Sequence, residues 1–111
     1  MSAVTTHVLD AAKGKPATGV GVRLEAADGD GWQHLADAVT DPDGRVRECG
    51  PQRLEAGDYR LTFATADYFE QLGVESFYPQ VQITFRITDP EQHYHVPILL
   101  SPFAYSTYRG S

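Results

Sequence analysis

Apolar and polar side chains alternate with a period of two residues along most of this chain, and spacing typical of helices is nearly absent. The stretch from Val81 to Ile87 shows the pattern most clearly, since every second residue is apolar and those between are polar or charged. Turn sequences such as Asp28-Gly29-Asp30-Gly31 separate the alternating stretches, which number about seven or eight. Short strands divided by turns in this way predict an all-β protein, an antiparallel β-sandwich.

Only one segment, near residues 67–72, carries a helical signal. Asp67 is a favoured residue for the start of a helix, and Glu70 lies at the reciprocal position of a capping box. Gly73 is a favoured residue just beyond a helix end. We therefore expect a single helix of one or two turns in this part of the chain.

The size and charge of the chain limit its architecture and its partners. At 111 residues we expect one domain covering residues 1–111. A formal net charge of -6 argues against a nucleic-acid partner, which needs a basic face. No apolar run approaches the ~20 residues of a membrane span, and the first residues lack the pattern of a signal peptide. Cys49 is the only cysteine, which excludes an intrachain disulfide, so we expect a structural or surface thiol and a cytoplasmic protein.

The stretch from His93 to Ser101 predicts a strand whose two faces differ in chemistry. Val96 and Ile98 share one face, which suits a core, whereas His93 and His95 share the other. A Ser-Pro corner follows, then a second strand, and then the terminal tetrapeptide Tyr-Arg-Gly-Ser. A purely structural sheet has no need of two imidazoles on one face, so this face is the first place to look for a site.

The candidates for chemistry are His7, Arg45, the pair His93 and His95, and Tyr108. His7 lies in the middle of an N-terminal strand on the face opposite the core positions, so it and His95 can meet on the outer face of one sheet. Arg45 directly follows a tight turn of Pro, Asp and Gly residues, which fixes its backbone. A histidine suits acid–base work near neutral pH, and an arginine stabilises developing negative charge. Together these groups indicate activation of water for attack on a carbonyl carbon.

Other interpretations stay open on the residues alone. Strand histidines and an arginine behind a turn are commonly solvated surface groups, and we expect His34 to be one. The His93-x-His95 pair with His7 as a third ligand is compatible with zinc, although no Cys pair or nearby carboxylate completes the set. A serine nucleophile is the remaining alternative, but no Gly-x-Ser-x-Gly elbow frames the candidates Ser101, Ser106 and Ser111.

Several motifs taken together resemble those of the transthyretin-related 5-hydroxyisourate hydrolases. They are Thr6-His7-Val8-Leu9-Asp10, the Asp43-Gly44-Arg45 turn, the run from His93 to Pro102 and, most specific of all, the terminal Tyr108-Arg109-Gly110-Ser111. The likeness runs from Thr5 to Ser111. True transthyretins share parts of the last strands but lack these histidines, the arginine and the terminal tetrapeptide, so the chain resembles the enzymes.

The resemblance implies a transthyretin-like β-sandwich that assembles as a homotetramer, a dimer of dimers. It implies hydrolytic opening of the six-membered ring of 5-hydroxyisourate, without a cofactor, in the degradation of urate to allantoin. The implied catalytic residues are His7, Arg45, His95 and Ser111, and the implied substrate-binding residues are His7, Arg45 and Tyr108. The role of His93 and the identity of the general base stay open. The alternative is a transthyretin-like carrier that binds small molecules without catalysis.

The outer face also predicts association between subunits. We expect Pro97 and Leu99 to be exposed there, beside His7 and His95, and exposed apolar groups on a flat strand favour contact with a second copy. A small sandwich fills its interior with side chains, so we expect a substrate site that two copies enclose. The tail 108–111 is then expected to be ordered and held by the neighbouring subunit.

Overall fold

The computed structural model describes residues 2–111, and in this part of the chain nine strands form two sheets that pack face to face. The elements are β1 (Val4–Asp10), β2 (Lys15–Pro16), β3 (Gly21–Asp28), β4 (Gly31–Val39), β5 (Arg45–Val46), β6 (Gly57–Phe63), α1 (Thr65–Gln71), β7 (Val81–Ile87), β8 (Tyr94–Ser101) and β9 (Ala104–Thr107). The first sheet has the order β2-β1-β8-β9, with β5 also paired to β1, and the second has the order β4-β3-β6-β7. The predicted sandwich is confirmed, and its shortest strands, β2 and β5, have two residues each.

One strand pair departs from the expected antiparallel arrangement, because β1 and β8 run parallel. The whole second sheet lies between them in the sequence, so the chain returns to the first sheet through a long crossover, as a parallel pair requires. The register places Thr5 opposite His95 and His7 opposite Pro97. His7 and His95 therefore lie in neighbouring rows of the same sheet face.

The core lies between the inner faces of the two sheets, as the alternation predicted. Its largest fully buried side chains are Phe63, Leu24, Leu61, Ile87, Ile98 and Leu100. Cys49 belongs to this core, and burial raises the pKa of its thiol to about 11, as a structural thiol requires. Because successive side chains of a strand point to opposite faces, the side chains of β1 and β8 that do not enter the core lie on the outer face of the first sheet.

The single helix begins at Thr65, before the position expected for it. Ala64 occupies the N-cap without a side-chain cap, and Asp67 lies within the first turn, so the predicted capping box is wrong. Tertiary packing fixes the start instead: the Tyr68 hydroxyl donates a hydrogen bond to Asp10 Oδ2 at 2.7 Å. The end is as predicted, since the N–H groups of Gly73 and the following residue bond back to the last turn. In residues 2–111 no helix is long and apolar enough to cross a membrane.

Candidate active site

Strand pairing brings His7, Arg45 and His95 together on the outer face of the first sheet. Arg45 on β5 lies directly opposite His7 on β1, and β1 in turn pairs with β8, which carries His95. Residues directly opposite in neighbouring strands share a face, so the three side chains project to the same side. All three are half-buried. The strand alternation and the turn before Arg45 had predicted these three residues for the site. In the structure they form one cluster, supported by backbone pairing on both sides of β1.

The turn that precedes Arg45 is docked rigidly onto β1. Asp41 Oδ1 accepts hydrogen bonds from the backbone N–H groups of Asp43 and Arg45, both at 2.9 Å. These bonds lower the pKa of the Asp41 carboxyl, the bond from Arg45 most of all. Gly44 has a φ of 75°, and a β-carbon there would clash with the backbone oxygen of Val8. Only glycine fits, and the close approach holds the turn against β1.

The same turn fixes the orientation of the His7 ring. His7 Nε2 lies 2.8 Å from the backbone oxygen of Asp43. A carbonyl oxygen only accepts hydrogen bonds, so the Nε2 atom carries the proton. In the neutral ring the remaining lone pair is therefore on Nδ1.

His95 is held from its other edge by β1. Its Nδ1 atom lies 2.8 Å from Thr5 Oγ1, and the same hydroxyl lies 3.1 Å from His93 Nε2. Burial lowers the pKa of His95 below its ordinary value, and the nearby positive charge of Arg45 lowers it further, as do the charges of His93 and His7 when those rings are protonated. A bond to the Thr5 backbone acts in the opposite direction. The net result is an imidazole that stays neutral at pH 7 and is available as a base.

The terminal residues pack against His95 within their own chain. The Gly110 N–H donates to the backbone oxygen of His95 at 2.8 Å. Arg109 donates to the side-chain oxygen of Gln92 at 3.0 Å, and its guanidinium carbon lies 4.5 Å from the centre of the Tyr94 ring. The order expected for the tail thus has contacts within the subunit to support it.

Coverage by this tail explains a difference from the expected surface. Pro97 is buried rather than exposed, and Leu99 is half-buried. The Pro97 ring lies beside Gly110, and its carbonyl oxygen accepts a hydrogen bond from Thr107 at 2.7 Å. The expectation that both side chains are exposed was wrong, because a strand-face pattern does not show which later segment folds over it.

Tyr108 and Ser111 follow β9 and reach the cluster less directly. Tyr108 is 56% exposed and, with His95, lines a cavity of about 310 Å³ between the tail and the second sheet. Ile83 and Phe85 of β7 form the apolar side of this cavity. Ser111 is exposed and directly follows Gly110, which is paired with His95. The structure thus brings Tyr108 to a space that His95 also borders, and leaves the Ser111 side chain at the surface.

The remaining expectations concern metal ligands and serines. In residues 2–111 no group of three or more His, Cys, Asp or Glu side chains has the spacing of a metal site. Ser101 Oγ donates to the backbone oxygen of Ala104 at 3.0 Å and so stabilises the β8–β9 corner. His34 lies on β4 in the second sheet, exposed and 3.0 Å from Asp37, which confirms it as a surface residue.

Thr5 was not among the residues predicted for the site, although the structure places its hydroxyl between His93 and His95. Thr5 lies on the same outward face of β1 as His7, and the alternation of that strand predicted this. Its contact with His95 depends on the parallel β1–β8 register, which no local pattern reveals.

The fold and the outer-face cluster define a transthyretin-like β-sandwich with a histidine and arginine site. The chain belongs to the HIUase/Transthyretin family, whose model matches residues 4–110. A protein of Caulobacter vibrioides named 5-hydroxyisourate hydrolase is 50% identical over 115 aligned residues, which cover 100% of both chains.

Solved structures show the same sandwich in a hydrolase and in a transthyretin. The structure of Klebsiella pneumoniae 5-hydroxyisourate hydrolase superposes with a TM-score of 0.87 at 42% identity, covering 97% of this chain and 98% of that one. Sea bream transthyretin in complex with thyroxine superposes with a TM-score of 0.89 at 34% identity, covering 96% of this chain and 93% of that one. The fold thus occurs in a hydrolase and in a protein that binds thyroxine, so the site must decide between them.

Proposed function

We propose that this protein hydrolyses 5-hydroxyisourate, opening its six-membered ring to give 2-oxo-4-hydroxy-4-carboxy-5-ureidoimidazoline during urate degradation to allantoin. The observation that carries the proposal is the cluster of His7, Arg45 and His95 on one sheet face. The full-length identity of 50% to a protein named 5-hydroxyisourate hydrolase gives independent support.

The chemistry follows from the charges of the cluster. A neutral imidazole takes a proton from water while the water oxygen forms a bond to the ring carbonyl carbon. The carbonyl oxygen becomes an oxyanion, which the guanidinium of Arg45 stabilises. The carbon–nitrogen bond of the ring then breaks, and the imidazolium returns its proton to the departing nitrogen. No net proton is gained or lost by the protein.

We assign the role of general base to His95. Its pKa lies below the ordinary value, so its ring is neutral at pH 7. The Arg45 guanidinium contributes both to that lowered pKa and to binding of the substrate oxygens. We assign His7 to substrate binding and proton transfer beside it, Tyr108 to substrate contact, and Ser111 to placing the water or the substrate.

We also propose a homotetramer built as a dimer of dimers, with the active sites between subunits. The strand β9 supports this, since it is the edge of its sheet and all four of its residues are exposed. The site is supported as well, because the cluster lies on a half-buried outer face that a second copy can enclose. Light scattering should give about four times the chain mass of 12.2 kDa. A fully active species of one chain mass would contradict the assembly.

A cytoplasmic location is proposed with the function. Its support is Cys49, a free thiol buried in the core, as expected in a reducing compartment. Cell fractionation tests it, and recovery of the protein with secreted or periplasmic markers would contradict it.

The test of the function is stopped-flow absorbance with freshly generated 5-hydroxyisourate. The protein should accelerate loss of this compound far above its spontaneous rate, and prior treatment with a chelator should leave the rate unchanged. Decay at the spontaneous rate in the presence of protein would refute the proposal.

The second candidate is a small-molecule carrier, favoured by the similarity to sea bream transthyretin in complex with thyroxine. A carrier predicts tight binding of aromatic ligands in calorimetry together with no hydrolysis. The polar cluster argues against it, because a binding channel has no need of an imidazole with a lowered pKa beside a fixed arginine.

A further inference from the structure

The Thr5 hydroxyl joins two histidines that are next-but-one neighbours in the sequence. Its Oγ1 atom lies 2.8 Å from His95 Nδ1 and 3.1 Å from His93 Nε2. Thr5 is only 5% exposed, and its β-branched side chain has few rotamers available in a packed strand. The hydroxyl is therefore held between the two rings rather than shared with bulk water.

Two forms let the Thr5 hydroxyl donate a hydrogen bond to one of the rings. A hydroxyl has one proton, so when Thr5 donates to one ring it must accept from the other. In the first form His95 Nδ1–H donates to Thr5, and Thr5 donates to His93 Nε2. In the second form both bonds are reversed, and the proton of neutral His95 is on Nε2. The two forms differ in which nitrogen of His95 keeps a lone pair.

The surroundings of the His95 ring favour the first form. Its Nδ1 edge faces Thr5, and its Cδ2 edge faces Gly110, so Nε2 is the nitrogen left for substrate or water. Only the first form leaves a lone pair on Nε2, which the general base of the proposed hydrolysis requires.

We propose that Thr5 is a positioning residue that holds His95 in the tautomer with the proton on Nδ1, so that Nε2 is the base. His93 completes the arrangement by accepting the Thr5 proton, which gives it a role that the sequence left open. The inference deepens the proposed hydrolysis and rests on it for its catalytic consequence. The tautomer itself is a property of the free protein and is measurable without substrate.

The direct test compares Thr5→Val with Thr5→Ser. Valine keeps the branched shape and removes the hydroxyl, whereas serine keeps the hydroxyl and removes a methyl group. Loss of base alignment should lower kcat by about 10- to 100-fold in Thr5→Val, with KM nearly unchanged, since general-base catalysis is worth 10²–10⁴-fold in total. Thr5→Ser should stay within a few-fold of wild type. An equal loss in both variants, or no loss in Thr5→Val, would overturn the proposal.

Nitrogen-15 chemical shifts of the His95 ring provide a readout that packing alone does not move. The wild type and Thr5→Ser should show a proton on Nδ1, and Thr5→Val should lose that preference. Should Thr5→Val fail to fold, His93→Leu carries the test, because His93 is exposed and its removal frees the Thr5 proton to turn to His95 Nδ1. An unchanged His95 tautomer in His93→Leu would then overturn the proposal.

The two proposals fail separately. A wild type that does not hydrolyse 5-hydroxyisourate refutes the function, and the nitrogen shifts still decide whether Thr5 fixes the tautomer. An active wild type whose His95 proton lies on Nε2 refutes the positioning role and leaves the function intact.

Discussion

A β-carbon at Gly110 would lie 2.6 Å from Cδ2 of His95, closer than any side chain can approach without movement. The backbone at Gly110 thus contacts the edge of the imidazole, which explains why the specific terminal motif contains a glycine at this point. Gly110→Ala should displace either the tail or the ring and lower kcat by about 10-fold or more, since small misplacements of catalytic groups are costly.

Gly31→Ala is the matched control for this change, because a β-carbon there has only the backbone oxygen of Asp28 near it, at 3.9 Å. Steady-state kinetics on both variants gives the comparison. Turnover of Gly110→Ala at the rate of Gly31→Ala would show that the contact with His95 has no catalytic importance.

Deletion of residues 108–111 should abolish activity and leave the sandwich folded. The deletion removes the Gly110 backbone bond and the Arg109 contacts, but it removes no residue of the core. Far-UV circular dichroism should be unchanged, while the hydrolysis rate falls to the spontaneous value. Unchanged turnover in the truncated protein would mean that the tail is not part of the site.

The His95 ring should titrate below the ordinary histidine pKa of ~6.5. Burial and the positive charge of Arg45 disfavour the imidazolium, as do His93 and His7 once they are protonated, so a lower pH is needed to protonate the His95 ring. Activity that depends on the neutral ring should then fall on acidification, with a midpoint below ~6.5. Proton NMR titration should also show that Arg45→Gln raises the His95 pKa, because one of the positive charges is gone. A His95 midpoint at or above the ordinary value in the wild type would contradict this electrostatic account.

Tyr68→Phe should destabilise the fold without altering the site chemistry. The Tyr68 hydroxyl donates to Asp10, which is fully buried, so its loss leaves a buried carboxyl short of a partner. The expected cost is about 1.5–3 kcal/mol in the free energy of unfolding. Urea denaturation measures it, with Tyr105→Phe on the exposed strand β9 as the control. Equal stability of the two variants would show that the bond does not secure α1.

The sequence predicted the strands well because alternation records which side of a strand is buried. The inward positions of β7 and β8 were confirmed for this reason. The parallel β1–β8 pair was not predictable, since Val4 and Tyr94 pair across most of the chain and no turn encodes their direction. The helix start was also missed, because contact of Tyr68 with Asp10 overrides the local capping signal.

The sequence likewise predicted some features of the candidate site and missed others. The alternation of side chains indicated that His7 and His95 share an outer face, and the turn before Arg45 indicated that its backbone is held in place. The alternation could not show that Thr5 lies opposite His95, because that depends on the register of β1 and β8. It also could not show that the tail covers Pro97. The assignments of Tyr108 and Ser111 stay predictions from the family resemblance, as does the single-domain organisation.

The role of His95 in hydrolysis is tested by the initial rate of 5-hydroxyisourate loss with wild type, His95→Ala and His34→Ala. His34 is the matched control, because it is an exposed histidine on the other sheet, beside Asp37. We expect rapid hydrolysis by wild type and His34→Ala, and a loss of about 100-fold or more in His95→Ala. Full activity in His95→Ala, or equal losses in the two variants, would contradict this role of His95.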